Sequence, residues 1–202
     1  DKVSRALIDK DAIYSAEGNA SITSSSQVIG QIVAYAGEYG ISTNPESFAV
    51  YGNRKYFTDK KRGVVLRLSG GAGGGQGITE ISSYGMHDFF RDELADATKV
   101  VGGWNSHTKD YVLSLQTNSD YKTATFDEGV LGWTSFSSYK PSHIFSLSNV
   151  FYTFNQDIDI NGNLGRLYQH YSGPYAKFYG VTYGSDVTIV LNSQPSVVKN
   201  FK

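Results

Sequence analysis

Cysteine does not occur in the 202 residues, methionine occurs once, and proline four times. Without cysteine the chain has no disulfides, thiolate nucleophiles or cysteine-ligated zinc. A surplus of positive charge is also lacking: 18 basic residues face 19 acidic ones, for a formal charge of -1. Proteins that neutralise many phosphates need a basic stripe. None is visible, so a sequence-specific nucleic-acid partner is not expected. No apolar run approaches the roughly 20 residues that span a bilayer as a helix, so no membrane segment is expected either. Runs of strong helix formers are nearly missing, which argues against an α-helical domain.

What the chain has in abundance is glycine (22), tyrosine (15) and phenylalanine (11). Tyr and Phe fit the half-buried surface of a sheet, and Gly supplies turns between short strands. The expected class is all-β, built of antiparallel sheets of short strands. Residues 1–36 are rich in Ser and Ala, and Ser21–Tyr35 reads as either a strand or a short helix. From residue 37 a β domain is expected to run to residue 202. Phe48–Tyr51, the Gly52–Asn53 turn and Lys55–Thr58 form a hairpin signature. Gly63–Ser69 and Ile78–Ile81 complete a first small antiparallel sheet. The spacing of Met86, Phe89, Phe90 and Leu94 predicts one short helix near 84–97, with Arg91, Asp92, Glu93 and Asp96 on its wet face.

Strands are expected again at Lys99–Gly103, Asp110–Leu115, Lys122–Phe126 and Trp133–Phe136. Further strands are expected at Ile144–Leu147, Val150–Phe154, Arg166–His170, Ala176–Val181 and Asp186–Leu191. Turn signals recur every 8–12 residues or so, as in sandwiches, barrels and propellers. Val50–Leu68 and Leu147–Tyr168 share a loose pattern of strands and Gly-bearing turns. That spacing, of about two units of 40–50 residues each, favours part of a β-propeller. The closing run Ser196–Lys202 reads as a strand stopped in mid-course, so the chain is expected to belong to a longer polypeptide.

Sites of chemistry are sparse. The tract Gly70–Gly77 has neither the Lys of a phosphate-binding loop nor the glycine spacing of a dinucleotide fingerprint. It joins two strands and reads as a flexible hairpin loop. Asp157, Asp159, Asn161 and Gly162 match the first half of a calcium loop, in which oxygen ligands precede a turning glycine. Tyr168 stands where the closing glutamate would be, and a plain turn is the favoured alternative. The four histidines, His87, His107, His143 and His170, have no zinc-binding helical spacing. Glu80, Asp88, Asp92, Glu93, Asp127 and Glu128 could serve a glycan hydrolase, but nothing in the sequence pairs any two of them. No catalytic residue and no cofactor is therefore expected, and the chain is not expected to be an enzyme. Trp104, Trp133, Tyr139, Tyr168, Tyr171, Tyr175 and Tyr179 read first as sheet packing and otherwise as stacking platforms for sugars or a protein interface.

The segments Asn44–Ser69 and Ile78–Asp92 resemble a stretch of large virion structural proteins of tailed bacteriophages. Gly132–Phe136, Gly165–His170 and Asn192–Lys199 continue the resemblance in the same order, so that it covers roughly residues 37–202. The family includes tail stabilisation proteins, which are similar to the β-propeller nozzle subunits of short-tailed phages, and proteins of contractile-tailed phages of cyanobacteria. The resemblance implies a propeller-like fold and a structural role in a virion tail, at the nozzle or baseplate. Its implied partners are other virion proteins and copies of itself in a ring. No catalytic residues come with it. The alternative expectation is a module that recognises host-surface polysaccharide through exposed aromatic rings.

Overall fold

The computed structural model describes residues 2–14, 20–70, 77–157, 162 and 165–189. Its class is all-β, as the composition implies. Strands β1 (Ser4–Tyr14) and β2 (Ala20–Ala34) form a long antiparallel hairpin. The second reading of Ser21–Tyr35, a helix, is thereby set aside. Three meanders follow. The first contains β3 (Ala49–Tyr51), β4 (Arg54–Asp59), β5 (Val64–Ser69) and β6 (Gly77–Glu80). Helix α1 (His87–Asp96) leads to the second, of β7 (Lys99–Asn105), β8 (Asp110–Gln116), β9 (Tyr121–Asp127) and β10 (Gly132–Ser137). The third contains β11 (His143–Leu147), β12 (Val150–Asn155) and β13 (Arg166–Gln169). A last pair, β14 (Lys177–Phe178) and β15 (Val181–Thr182), is only two residues long on each side. In every meander, strands adjacent in sequence are adjacent in space and antiparallel.

Residues 186–189 do not form the strand expected there, and residues 190–202 lie outside the described ones. So do most of the glycine tract (71–76) and Asp159 and Asn161 of the candidate calcium loop. The similar segments 50–68 and 147–168 fall on the first and third meanders, with the second between them. Residues of α1 take the places their spacing predicts: Phe90 and Leu94 are buried, and Met86 and Phe89 pack beside them.

The sheets stack face to face, and β7 and β8 show why. Both are buried at almost every position, so both of their faces are covered. Alternate residues point to opposite faces of a strand. Val100 and Trp104 of β7, with Tyr111, Leu113 and Leu115 of β8, join one core together with Tyr56, Val65, Phe90 and Leu94. That core glues the second meander to the first and to α1. On the opposite face, Val112 meets Tyr139 and Phe151, and this smaller core holds the third meander. Here the packing is partly polar: Gln116 donates to Ser114 Oγ (3.1 Å) and to the Pro141 carbonyl (2.6 Å), and Thr123 donates to the Tyr139 carbonyl at 2.7 Å.

Two consecutive glycines permit the close approach. A Cβ on Gly102 would fall 2.1 Å from the Ser47 carbonyl oxygen, just before β3. One on Gly103 would fall 2.2 Å from Ile144 Cγ2 of β11, on the other face. No side chain fits at either position, so β7 lies directly between the flanking sheets. The first strands of the three meanders, β3, β7 and β11, are neighbours in this way.

A third core, of Phe57, Val64 and Leu66, lies on the far face of the first meander. Val3, Tyr39 and Ile41 cover it, tying down the base of the β1–β2 hairpin. Beyond that base, Ile8, Ile29 and Ile32 are well exposed. Ile8 pairs with Ile29 and Ala6 with Ile32, with register shifts on either side of Ile8.

Candidate functional site

A cleft of about 650 Å³ opens between the second and third meanders. Small-molecule sites usually occupy roughly 300–1,000 Å³. One wall is the β7–β8 turn, which presents Asn105 and Asp110; Ser135 and Ser137 of β10 extend it. The opposite wall is Tyr168 and the segment from His170 to Tyr179, and Tyr139 lies deep between the two. This segment follows directly on β13, and its backbone is unusual. Tyr171, Ala176 and Tyr179 all sit at φ between 52° and 57°. Left-handed conformations are uncommon outside glycine and persist only where the surroundings hold them.

Several contacts do so. Asn105 Nδ2 donates to Tyr171 Oη at 2.7 Å, while Asn105 Oδ1 accepts from the backbone N–H of His107 at 3.1 Å. The imidazole of His107 stacks on the Tyr171 ring with centroids 4.3 Å apart. Deeper in, Thr153 Oγ1 lies 2.7 Å from His170 Nε2 and 2.8 Å from Tyr179 Oη. One hydroxyl thus links the imidazole to the phenol. Burial lowers the His170 pKa to about 4, so the ring is neutral near pH 7. Burial likewise pushes the hydroxyls of Tyr139 and Tyr179 well above the usual tyrosine range.

Asp110 is the acidic group of the cleft. Its pKa is raised, first by burial; the Thr108 side chain opposes this and the charge of Asp127 adds to it. Asp127 is its direct cross-strand partner in β9. Asp110 Oδ1 is buried and meets no hydrogen-bond donor among the described residues. The rims of the cleft carry aromatic rings turned to solvent: Tyr171 is 59% exposed and Tyr175 fully so.

A second polar cluster is structural in form. Glu128, in the β9–β10 loop, accepts from Tyr56 Oη at 2.6 Å and from Arg67 Nη1 at 2.7 Å, and Arg54 Nη1 lies 3.2 Å away. It clamps the first meander to the second and raises the Tyr56 pKa far above normal, behind only burial as a cause.

The remaining candidates are dispersed. Asp157 is held by Lys140 at 3.3 Å. Glu80 lies 3.7 Å from His87. Asp88 and Asp92 pair with Arg91 on the exposed side of α1, and Glu93 pairs with Lys122. Asp127 Oδ1 accepts from the N–H of Val130 at 3.3 Å, in a turn. Among the described residues, no group of three or more His, Asp or Glu side chains could hold a metal ion. Trp104 and Tyr139 are core, Trp133 packs against the core and donates to the Ile81 carbonyl at 3.0 Å, and Tyr168, Tyr171, Tyr175 and Tyr179 all line the cleft. Sequence reading did not single out Asn105 or Asp110 for this site. The Asn105 partner Tyr171 is 66 residues away, and no local pattern marks such a pair.

No protein-family model and no curated protein matches the chain.

Proposed function

We propose that the chain is a structural component of a bacteriophage tail, at the nozzle or baseplate, and that its three meanders are consecutive blades of a β-propeller. Two features support the propeller reading. The meanders run strand by strand outward from their first strands, and those first strands adjoin one another at Gly102 and Gly103.

The observation that carries the structural role is the outer face of the third meander. The inner strands of the first and second meanders are covered on both sides, whereas this face of the third is exposed. His143, Phe145 and Leu147 of β11 point outward and stand opposite Phe154, Tyr152 and Val150 of β12. Leu167 of β13 extends the same surface, opposite Phe154. Leu147 is 65% and Leu167 56% exposed, and the rings of Phe145 and Tyr152 stack with centroids 5.6 Å apart. An apolar sheet face of this kind belongs in an interface. The hairpin isoleucines add a second surface, on a two-stranded ribbon that is marginal in water by itself. Both suit permanent contacts with other virion proteins and with copies of the chain in a ring.

Separating purified particles into heads and tails, then quantifying peptides of this chain, tests the role. The expected result is a fixed copy number per particle in the tail fraction. Peptides found only in infected-cell extract, and not in particles, would overturn it.

A further inference from the structure

The cleft between the second and third meanders has a chemical character distinct from the apolar surfaces on which the structural role rests. We propose that it binds a neutral saccharide, with the Asp110 carboxylate addressing hydroxyl groups and the exposed rings of Tyr171 and Tyr175 stacking on the C–H faces of sugar rings.

Four observations converge on this ligand class. The volume of about 650 Å³ admits a short oligosaccharide. The lining mixes hydroxyls and an amide with tyrosine rings, and a sugar offers both complements: polar edges and apolar C–H faces. Asp110 Oδ1 is buried and meets no donor among the described residues, and a buried acceptor left unmade is costly. A ligand hydroxyl donating to the same carboxylate where it lines the cleft would offset part of that cost. Tyr175 is completely exposed at the rim, where a ring buries nothing within its own chain.

The charge pattern narrows the choice. Asp110 lines the cleft, His170 is neutral, and Lys177 is the one lysine or arginine among the lining residues described. Phosphates and acidic sugars would meet a carboxylate without a cationic cradle. Purely apolar ligands would bury the Asp110 carboxylate without a donor from the ligand. The left-handed backbone at Tyr171, Ala176 and Tyr179 fixes the aromatic wall in place before any ligand arrives, which lowers the ordering cost of binding.

The test is a titration of the intact chain, followed by NMR, with neutral trisaccharides built on glucose, galactose and N-acetylglucosamine and with a sulfated trisaccharide as the acidic probe. The expected result is saturable binding of at least one neutral probe, with shifts confined to residues near 105–110 and 168–179. Tyr175→Ala, which removes a ring outside every core, should weaken it roughly fivefold. Asp110→Asn should weaken it roughly tenfold or more. Binding unaffected by both variants would overturn the assignment. So would preference for the sulfated probe, or no shift with any neutral probe at millimolar concentration. Because the tail fractionation does not depend on the cleft, failure here leaves the structural role standing, and the converse holds.

Discussion

Replacing Glu128 by Ala removes the acceptor that three donors of the first meander share. The side chain is only 10% exposed, and that of Arg67 only 14%. Without the carboxylate, Arg67 keeps a buried charge with no counter-ion, and the fully buried Tyr56 loses the acceptor of its O–H. Breaking a buried ion pair by removing one partner costs about 3–5 kcal/mol. Arg54 adds little, because it is 45% exposed and screened by water; surface pairs contribute about 0–1 kcal/mol. For a chain of this size each kcal/mol lowers Tm by roughly 2–4 °C. Glu128→Ala should therefore lower Tm by roughly 10 °C, and Arg54→Ala by no more than about 4 °C. Differential scanning calorimetry of both variants at one pH and salt concentration measures the contrast. If Glu128→Ala is as mild as Arg54→Ala, the cluster does not clamp the sheets and the reasoning fails.

Other predictions address the sheet stacking and the cleft. Alanine at Gly102 or Gly103 should destabilise by at least about 1–3 kcal/mol each, since the new Cβ has no room; urea-melt midpoints check this. As pH falls from 6.5 the unfolded chain takes up a proton that native His170 refuses until about pH 4. Stability from this group is thus present above pH 6.5 and lost between 6.5 and 4, by no more than about 3 kcal/mol. His170→Gln should flatten that part of the pH–stability curve. Asp110 acts in the opposite direction, because its raised pKa makes ionisation near neutral pH unfavourable to the fold. Asp110→Asn should accordingly raise Tm at pH 7 even as it weakens saccharide binding.

Alternation and turn residues are local, and they place β4, β5 and β7–β9 in the sequence to within about two residues. The helical spacing of Phe89, Phe90 and Leu94 is just as local, and α1 follows it. Alternation fails in β1 and β2 because bulges shift the pairing on either side of Ile8, and Asp9 adopts a φ of 55°. Such interruptions erase the period of two on which strand recognition depends. Gly102 and Gly103 stand at the end of an expected strand, and their purpose depends on which sheets lie above and below. Glu128 stood among six unpaired carboxylates, and its donors Tyr56 and Arg67 lie more than 60 residues earlier. The cleft is likewise a product of stacking, drawing residues from β7, β8, β10 and the segment after β13. Tyr171, Tyr175 and Tyr179 are alike in the sequence, and only the fold separates them into an exposed rim and a half-buried wall.

The uncovered face of the third meander is the most direct point of attack on the structural account. Cryo-electron microscopy of the purified tail would locate the three stacked meanders and whatever lies against Phe145, Leu147 and Leu167. The account predicts a further sheet, of the same polypeptide or a neighbouring protein, packed on that face within a cyclic assembly. Density for the chain with that face bare to solvent, or no density for the chain in the tail, would contradict it.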